Sequence, residues 1–120
     1  MARMSTSILS LHVLDTTRGG PGAGMRVELH RVAPDPRALA DIVTNEDGRA
    51  PVPLLPPDTF LPGTYELRYH IAAYFRARGI GDDPPFLDIV PVRFTMREDA
   101  GHYHVPLQVT PFAYATYRGS

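Results

Sequence analysis

The chain has 120 residues, 43% hydrophobic and 21% charged, the make-up of one globular domain able to bury its own core. Twelve basic and thirteen acidic residues leave a net charge of -1, which argues against a nucleic-acid binder or a membrane-surface protein. All the basic residues are arginine and cysteine is absent, which removes lysine Schiff bases, thiol catalysis, disulfides and cysteine-bound zinc.

In chain order, residues 1–7 read as a short polar lead-in and residues 8–120 as a single domain. The start has no long apolar stretch and no small-residue cleavage site, so a secretory signal is not expected and the cytoplasm is the expected compartment. No run approaches the roughly 18 apolar residues of a membrane span. Ile8 to Leu14 alternates, with Leu9, Leu11 and Val13 on one face and Ser10, His12 and Leu14 on the other. Thr16 to Gly24, with four glycines and Pro21, forces a loop. Met25 to Val32 sets Met25, Val27 and Leu29 against Arg26, Glu28 and His30. After Pro34-Asp35-Pro36, Leu39 to Thr44 reads as a weaker strand, followed by an Asn45-Glu46-Asp47-Gly48 turn with Gly48 at positive φ. Pro51 to Pro62 holds five prolines and is expected to be an irregular edge or loop.

Thr64 to His70 alternates again and runs into the one convincing helix, which starts at Ile71 and has Gly79 as its stop. Phe86 to Met96, Tyr103 to Val109 and a short Ala113 to Thr116 complete the strands. Seven or eight strands with one helix predict an all-β sandwich of two packed sheets.

The alternation also locates polar groups. Tyr103, Val105, Leu107 and Val109 form an apolar side, which puts His102, His104, Pro106 and Gln108 on the other. His12 likewise points away from the core. His30 and His70 read as solvated surface residues. His102 and His104 share one strand face, a spacing that suits a metal, but no third ligand is placed and no metal is expected. Arg49 follows the Asn45–Gly48 turn, where an arginine is ordinarily a solvated side chain.

Leu9-Ser10-Leu11-His12-Val13-Leu14-Asp15, Thr44-Asn45-Glu46-Asp47-Gly48-Arg49 and His102-Tyr103-His104-Val105-Pro106-Leu107 occur here in fixed order, followed by Thr110-Pro111-Phe112-Ala113-Tyr114-Ala115-Thr116-Tyr117-Arg118-Gly119-Ser120. Together these segments resemble the transthyretin-like family, and specifically its enzymatic branch, the 5-hydroxyisourate hydrolases. The terminal Tyr-Arg-Gly-Ser is the most specific part, since it separates the hydrolases from the thyroid-hormone carrier. That carrier also lacks histidine at the positions matching His12 and His104.

The resemblance implies a sandwich of two four-stranded sheets with one short helix, assembled as a homotetramer, a dimer of dimers. The residues matching His12, Arg49 and His104 would form the catalytic constellation, and those matching Tyr117, Arg118 and Ser120 would bind substrate. It implies hydrolysis of 5-hydroxyisourate to 2-oxo-4-hydroxy-4-carboxy-5-ureidoimidazoline in urate degradation, with no cofactor, nucleic-acid or membrane partner. His104 is assigned to take a proton from water, His12 to orient substrate or shuttle the proton, and Arg49 to hold carbonyl oxygens and stabilise the oxyanion. Gln108 and Ala115 depart from the family pattern, and Thr110 keeps only the hydroxyl of the usual serine. The rival expectation is a non-catalytic, transthyretin-like tetramer whose channel holds a small aromatic ligand.

Overall fold

A computed structural model describes residues 8–55, 60–98 and 101–119, so the lead-in over 1–7 and Ser120 lie outside the described residues. The strands are β1 (Ile8–Asp15), β2 (Gly20–Pro21), β3 (Arg26–Ala33), β4 (Arg37–Val43), β5 (Gly63–His70), β6 (Ile89–Met96), β7 (His102–Val109) and β8 (Tyr114–Thr116). One helix, α1 (Ile71–Ala77), follows β5 without a break. They form two four-stranded sheets, β2-β1-β7-β8 and β4-β3-β5-β6. The expected sandwich is the observed one.

Each sheet turns its apolar alternation inward. Leu9, Leu11 and Val13 of β1 and Tyr103, Val105, Leu107 and Val109 of β7 face Val27, Leu29, Tyr65, Leu67 and Tyr69 across the core. The buried tyrosines satisfy their hydroxyls, as desolvated polar groups must. Tyr69 Oη donates to the Val105 carbonyl at 3.2 Å and so ties the two sheets together. Tyr74 Oη, from α1, donates to Asp15 at the end of β1 at 2.8 Å. Asp15 is fully buried, and burial alone pushes its carboxyl up; hydrogen bonds from Thr17 and Tyr74 outweigh that and hold it below the usual carboxylate range. A charge thus stays at the joint of β1 and α1 because every bond around it is made.

Several boundaries differ from the sequence expectation for local reasons. The strand expected from Phe86 begins at Ile89 because the Asp88 carbonyl is taken by α1, accepting from Ile71 N at 3.1 Å and Ala72 N at 3.0 Å. These bonds satisfy two orphan donors of a helix whose N-cap, His70, makes no side-chain cap. At the other end, Gly79 (φ +67°) donates to Arg76 O and Ile80 to Phe75 O, which is a Schellman stop. Inside the expected Thr16–Gly24 loop, Gly20 and Pro21 fold back as β2 opposite Asp15 and Leu14. β4 starts at Arg37, two residues early, because the return after the proline break pairs Arg37 directly with Arg31.

The outer face of the second sheet also corrects an expectation. His30 and His70 are not freely solvated: their side chains are 21% and 15% exposed, and both contact Glu28, at 3.1 and 2.6 Å. Glu66 beside them accepts from Arg68 and Arg93. Strand registry lines these charges up in opposite-sign rows across β3, β5 and β6.

Candidate active site

The site is built where β1 runs parallel to β7. Their register sets Ser10 opposite His104, His12 opposite Pro106 and Ile8 opposite His102. Because side chains alternate, Ser10, His12, His102 and His104 all fall on the outer face of the first sheet.

A docked turn supplies Arg49. Asn45 Oδ1 accepts from the backbone N–H of Asp47 and of Arg49, both at 3.0 Å, and Gly48 N donates to the Asn45 carbonyl at 2.9 Å. The Gly48 carbonyl in turn accepts from Val13 N at 2.8 Å, so the turn is stitched onto β1 one residue beyond His12. Gly48 has φ +74°, and a Cβ there would stand 2.4 Å from the Val13 carbonyl oxygen. Only glycine allows that approach. Gly48→Ala is therefore expected to cost at least about 1–2 kcal/mol for the left-handed backbone alone, plus whatever the displaced carbonyl loses. A urea titration reads the first effect, and reduced turnover reads the movement of Arg49.

The three residues His12, Arg49 and His104 come together electrostatically. Burial and the Arg49 guanidinium lower the pKa of His12, partly opposed by a hydrogen bond to the Asp47 backbone and by the Asp47 carboxylate. Burial, Arg49, His102 and His12 all lower that of His104. Both imidazoles are therefore held neutral at pH 7, the form that can accept a proton. A shallow cavity of about 350 Å³, lined by Ser10, Arg49, Pro51 and Val52 among others, opens beside them. Neutral imidazoles within electrostatic reach of a fixed cation suit addition of water to a carbonyl carbon.

The chain end lies along β7. Gly119 N donates to the His104 carbonyl at 2.7 Å, and a Cβ on Gly119 would come within 2.8 Å of the His104 ring. Arg118 stacks its guanidinium on Tyr103, 4.0 Å from the ring centroid, and Tyr117 and Arg118 line a second cavity of about 250 Å³ with Val92, Phe94 and Val105. In the single chain Arg118 lies on the Tyr103 side of β7, away from the face that carries His12. Ser120 lies outside the described residues. Among the described residues no three His, Asp or Glu side chains gather as a metal site.

Residues 9–119 match the profile of the HIUase/Transthyretin family. The chain belongs to the HIUase/Transthyretin family. Within this family it is 53% identical over 113 residues to the 5-hydroxyisourate hydrolase of Deinococcus radiodurans, covering 93% of this chain and 95% of that protein. Among solved structures it superposes on Klebsiella pneumoniae 5-hydroxyisourate hydrolase with a TM-score of 0.80 and 29% identity, covering 100% and 99% of the two chains. It also matches an (S)-allantoin synthase with a TM-score of 0.90 and 40% identity, where 98% of this chain spans 46% of the longer one.

Family-level reading of the sequence did not single out Ser10 or Asn45 as part of this site. Ser10 Oγ lies 2.7 Å from His104 Nδ1 and 2.6 Å from His102 Nε2. The alternation already put Ser10 on the His12 face; the missing signal was that β1 and β7 are neighbours.

Proposed function

We propose that this chain hydrolyses 5-hydroxyisourate, the product of urate oxidation, at an acyl–nitrogen bond of its six-membered ring. The observation that carries this reading is the outer-face cluster of His12, Arg49 and His104, in a chain of this family that matches hydrolases over nearly its whole length. His104, neutral at pH 7, takes a proton from water as the oxygen adds to the carbonyl carbon. Arg49 holds the oxyanion through two parallel N–H donors. The intermediate collapses with cleavage of the ring carbon–nitrogen bond, the nitrogen receives the proton from the imidazolium and stays in the product, and 2-oxo-4-hydroxy-4-carboxy-5-ureidoimidazoline leaves. His12 orients the substrate or passes the proton on. No cofactor enters any step.

The proposed assembly is a homotetramer, a dimer of dimers, in which the outer faces of β1 and β7 line a channel. The exposed apolar side chains of Tyr114 and Tyr117 at the β8 edge support association there. Within such an assembly Tyr117, Arg118 and Ser120 bind substrate, with the tail held against β7 by Gly119. The proposed compartment is the cytoplasm; among the described residues, no helix is long and apolar enough to cross a membrane.

The direct test is the ultraviolet decay of freshly generated 5-hydroxyisourate with and without the protein. Added protein is expected to accelerate the decay, and an unchanged spontaneous rate overturns the reading. Deleting residues 117–120 is expected to lower turnover by at least about tenfold, the scale of losing contacts that position a substrate, while the melting temperature moves little. A deletion that keeps full activity removes the tail from the site.

A further inference from the structure

We propose that Ser10 and His102 are positioning residues that set the tautomer of His104, holding its Nδ1 protonated so that Nε2 is free as the base. The inference rests on the reading of His104 as the base, and it assigns roles to two residues that touch no substrate in that mechanism.

The geometry is a single hydroxyl between two imidazoles. Ser10 Oγ is 2.7 Å from His104 Nδ1 and 2.6 Å from His102 Nε2, while the rings stand 5.9 Å apart at 59° and do not touch. A hydroxyl has one proton to give, so it donates to one ring nitrogen and accepts from the other. With both rings neutral, only two arrangements satisfy both contacts. In the first, His104 Nδ1–H donates to Ser10, Ser10 donates to His102 Nε2, and His104 Nε2 is bare. In the second, every donor is reversed and His104 carries its proton on Nε2, where it cannot act as a base.

Surroundings favour the first arrangement. The charged or titratable groups that face His104 are Arg49 from the docked turn, His12 from β1 and His102 on its own strand. A neighbouring guanidinium is better met by a lone pair than by another N–H, so a bare Nε2 suits the site. The backbone fixes the rest: Ser10 and His104 are register partners in the parallel β1–β7 pair, which leaves the hydroxyl little freedom to seek other partners. His102 matters as an acceptor. Without it, the Ser10 proton turns more readily to His104 Nδ1, which shifts the base toward the inactive tautomer. This is the logic by which a buried orienting group fixes a catalytic imidazole elsewhere.

The variants are Ser10→Ala, His102→Phe and the double change, each in the full-length protein. Ser10→Ala is expected to lower kcat roughly tenfold, part of the 10²–10⁴-fold that a positioned base contributes, with KM within about twofold. It also moves the acid limb of the kcat profile to lower pH, because the imidazolium loses its Nδ1–H acceptor. His102→Phe is expected to lower kcat at least as much. The double variant is expected to match Ser10→Ala, since without the hydroxyl there is nothing left for His102 to direct. Ser10→Thr, which keeps the hydroxyl, is expected to restore most of kcat.

Nitrogen-15 ring spectra of substrate-free protein give a second readout. They are expected to show His104 as the Nδ1–H tautomer in the parent, shifted toward Nε2–H in His102→Phe and as a mixture in Ser10→Ala. Additive losses in kcat, or ring spectra unchanged by either substitution, overturn the proposal. These spectra do not depend on turnover, so a failure of His104 as the base would appear in the activity of His104→Ala and leave them as expected.

Discussion

Replacing His104 with alanine is expected to lower kcat by about two to four orders of magnitude, the contribution of a positioned general base. The backbone around it does not need the ring. The β1–β7 ladder and the bond from Gly119 N to the His104 carbonyl are main-chain contacts, and they survive the substitution. The side chain lies on an outer, half-buried face, so the stability change is expected within about 0.5 kcal/mol, as for other substitutions away from a core. Loss of activity without loss of fold separates a chemical role from a structural one. The pH profile adds a sign. A general base acts in its neutral form, and burial together with Arg49, His102 and His12 lowers the His104 pKa from the ordinary 6.5. The parent is therefore expected to keep its rate below pH 6.5 and lose it only as the pH passes the lowered value. The residual activity of His104→Ala is expected to lack that limb. A folded, assembled variant with a near-parental rate removes His104 from the mechanism.

Much of this arrangement is legible in the sequence because it is periodic. Leu9, Leu11 and Val13, then Tyr103, Val105, Leu107 and Val109, recur at the two-residue period of a strand, and all seven are buried. The same period determines which residues face outward, and the strand pattern alone puts both His12 and His104 on the side away from the core. The Gly48 turn is legible for a different reason: an Asx turn and a left-handed glycine are both local chemistry.

Contacts between strands are another matter. Ser10 and His104 are 94 positions apart, and nothing in either strand's own pattern says that the two run parallel and adjacent. The same gap explains why His70 reads as solvated: Glu28 comes close to it only when β3 pairs with β5. It also explains the boundary at Ile89, since the Asp88 carbonyl is diverted by a helix that began seventeen residues earlier in the chain. Alternation specifies a face; the closed sheet specifies a neighbour. For the tail, the resemblance supplied a role for Tyr117 and Arg118, while the single chain sets Arg118 over the Tyr103 ring.

Arg49→Gln is the second large effect, and its value lies in testing two roles at once. Glutamine keeps a hydrogen-bond donor and most of the length but loses the charge and the paired fork. Loss of oxyanion stabilisation is expected to lower kcat by about 10²–10³-fold, the scale for removing one such donor. The charge acts separately on the histidines. Arg49 contributes to the lowered pKa of both His12 and His104, so its removal raises both. A general base acts as the neutral imidazole, so under the proposed mechanism the acid limb is expected to move to higher pH. Arg49→Lys is expected to reverse that movement, since it restores the cation, yet to recover only part of kcat, since an ammonium lacks the planar pair of parallel N–H donors. A fall in kcat with an unmoved limb confines Arg49 to the oxyanion. A moved limb with an unchanged limiting rate confines it to tuning the bases. Both together are expected, because the Asn45 turn holds one guanidinium close enough to act on His12 and His104 and still reach the hollow beside Ser10.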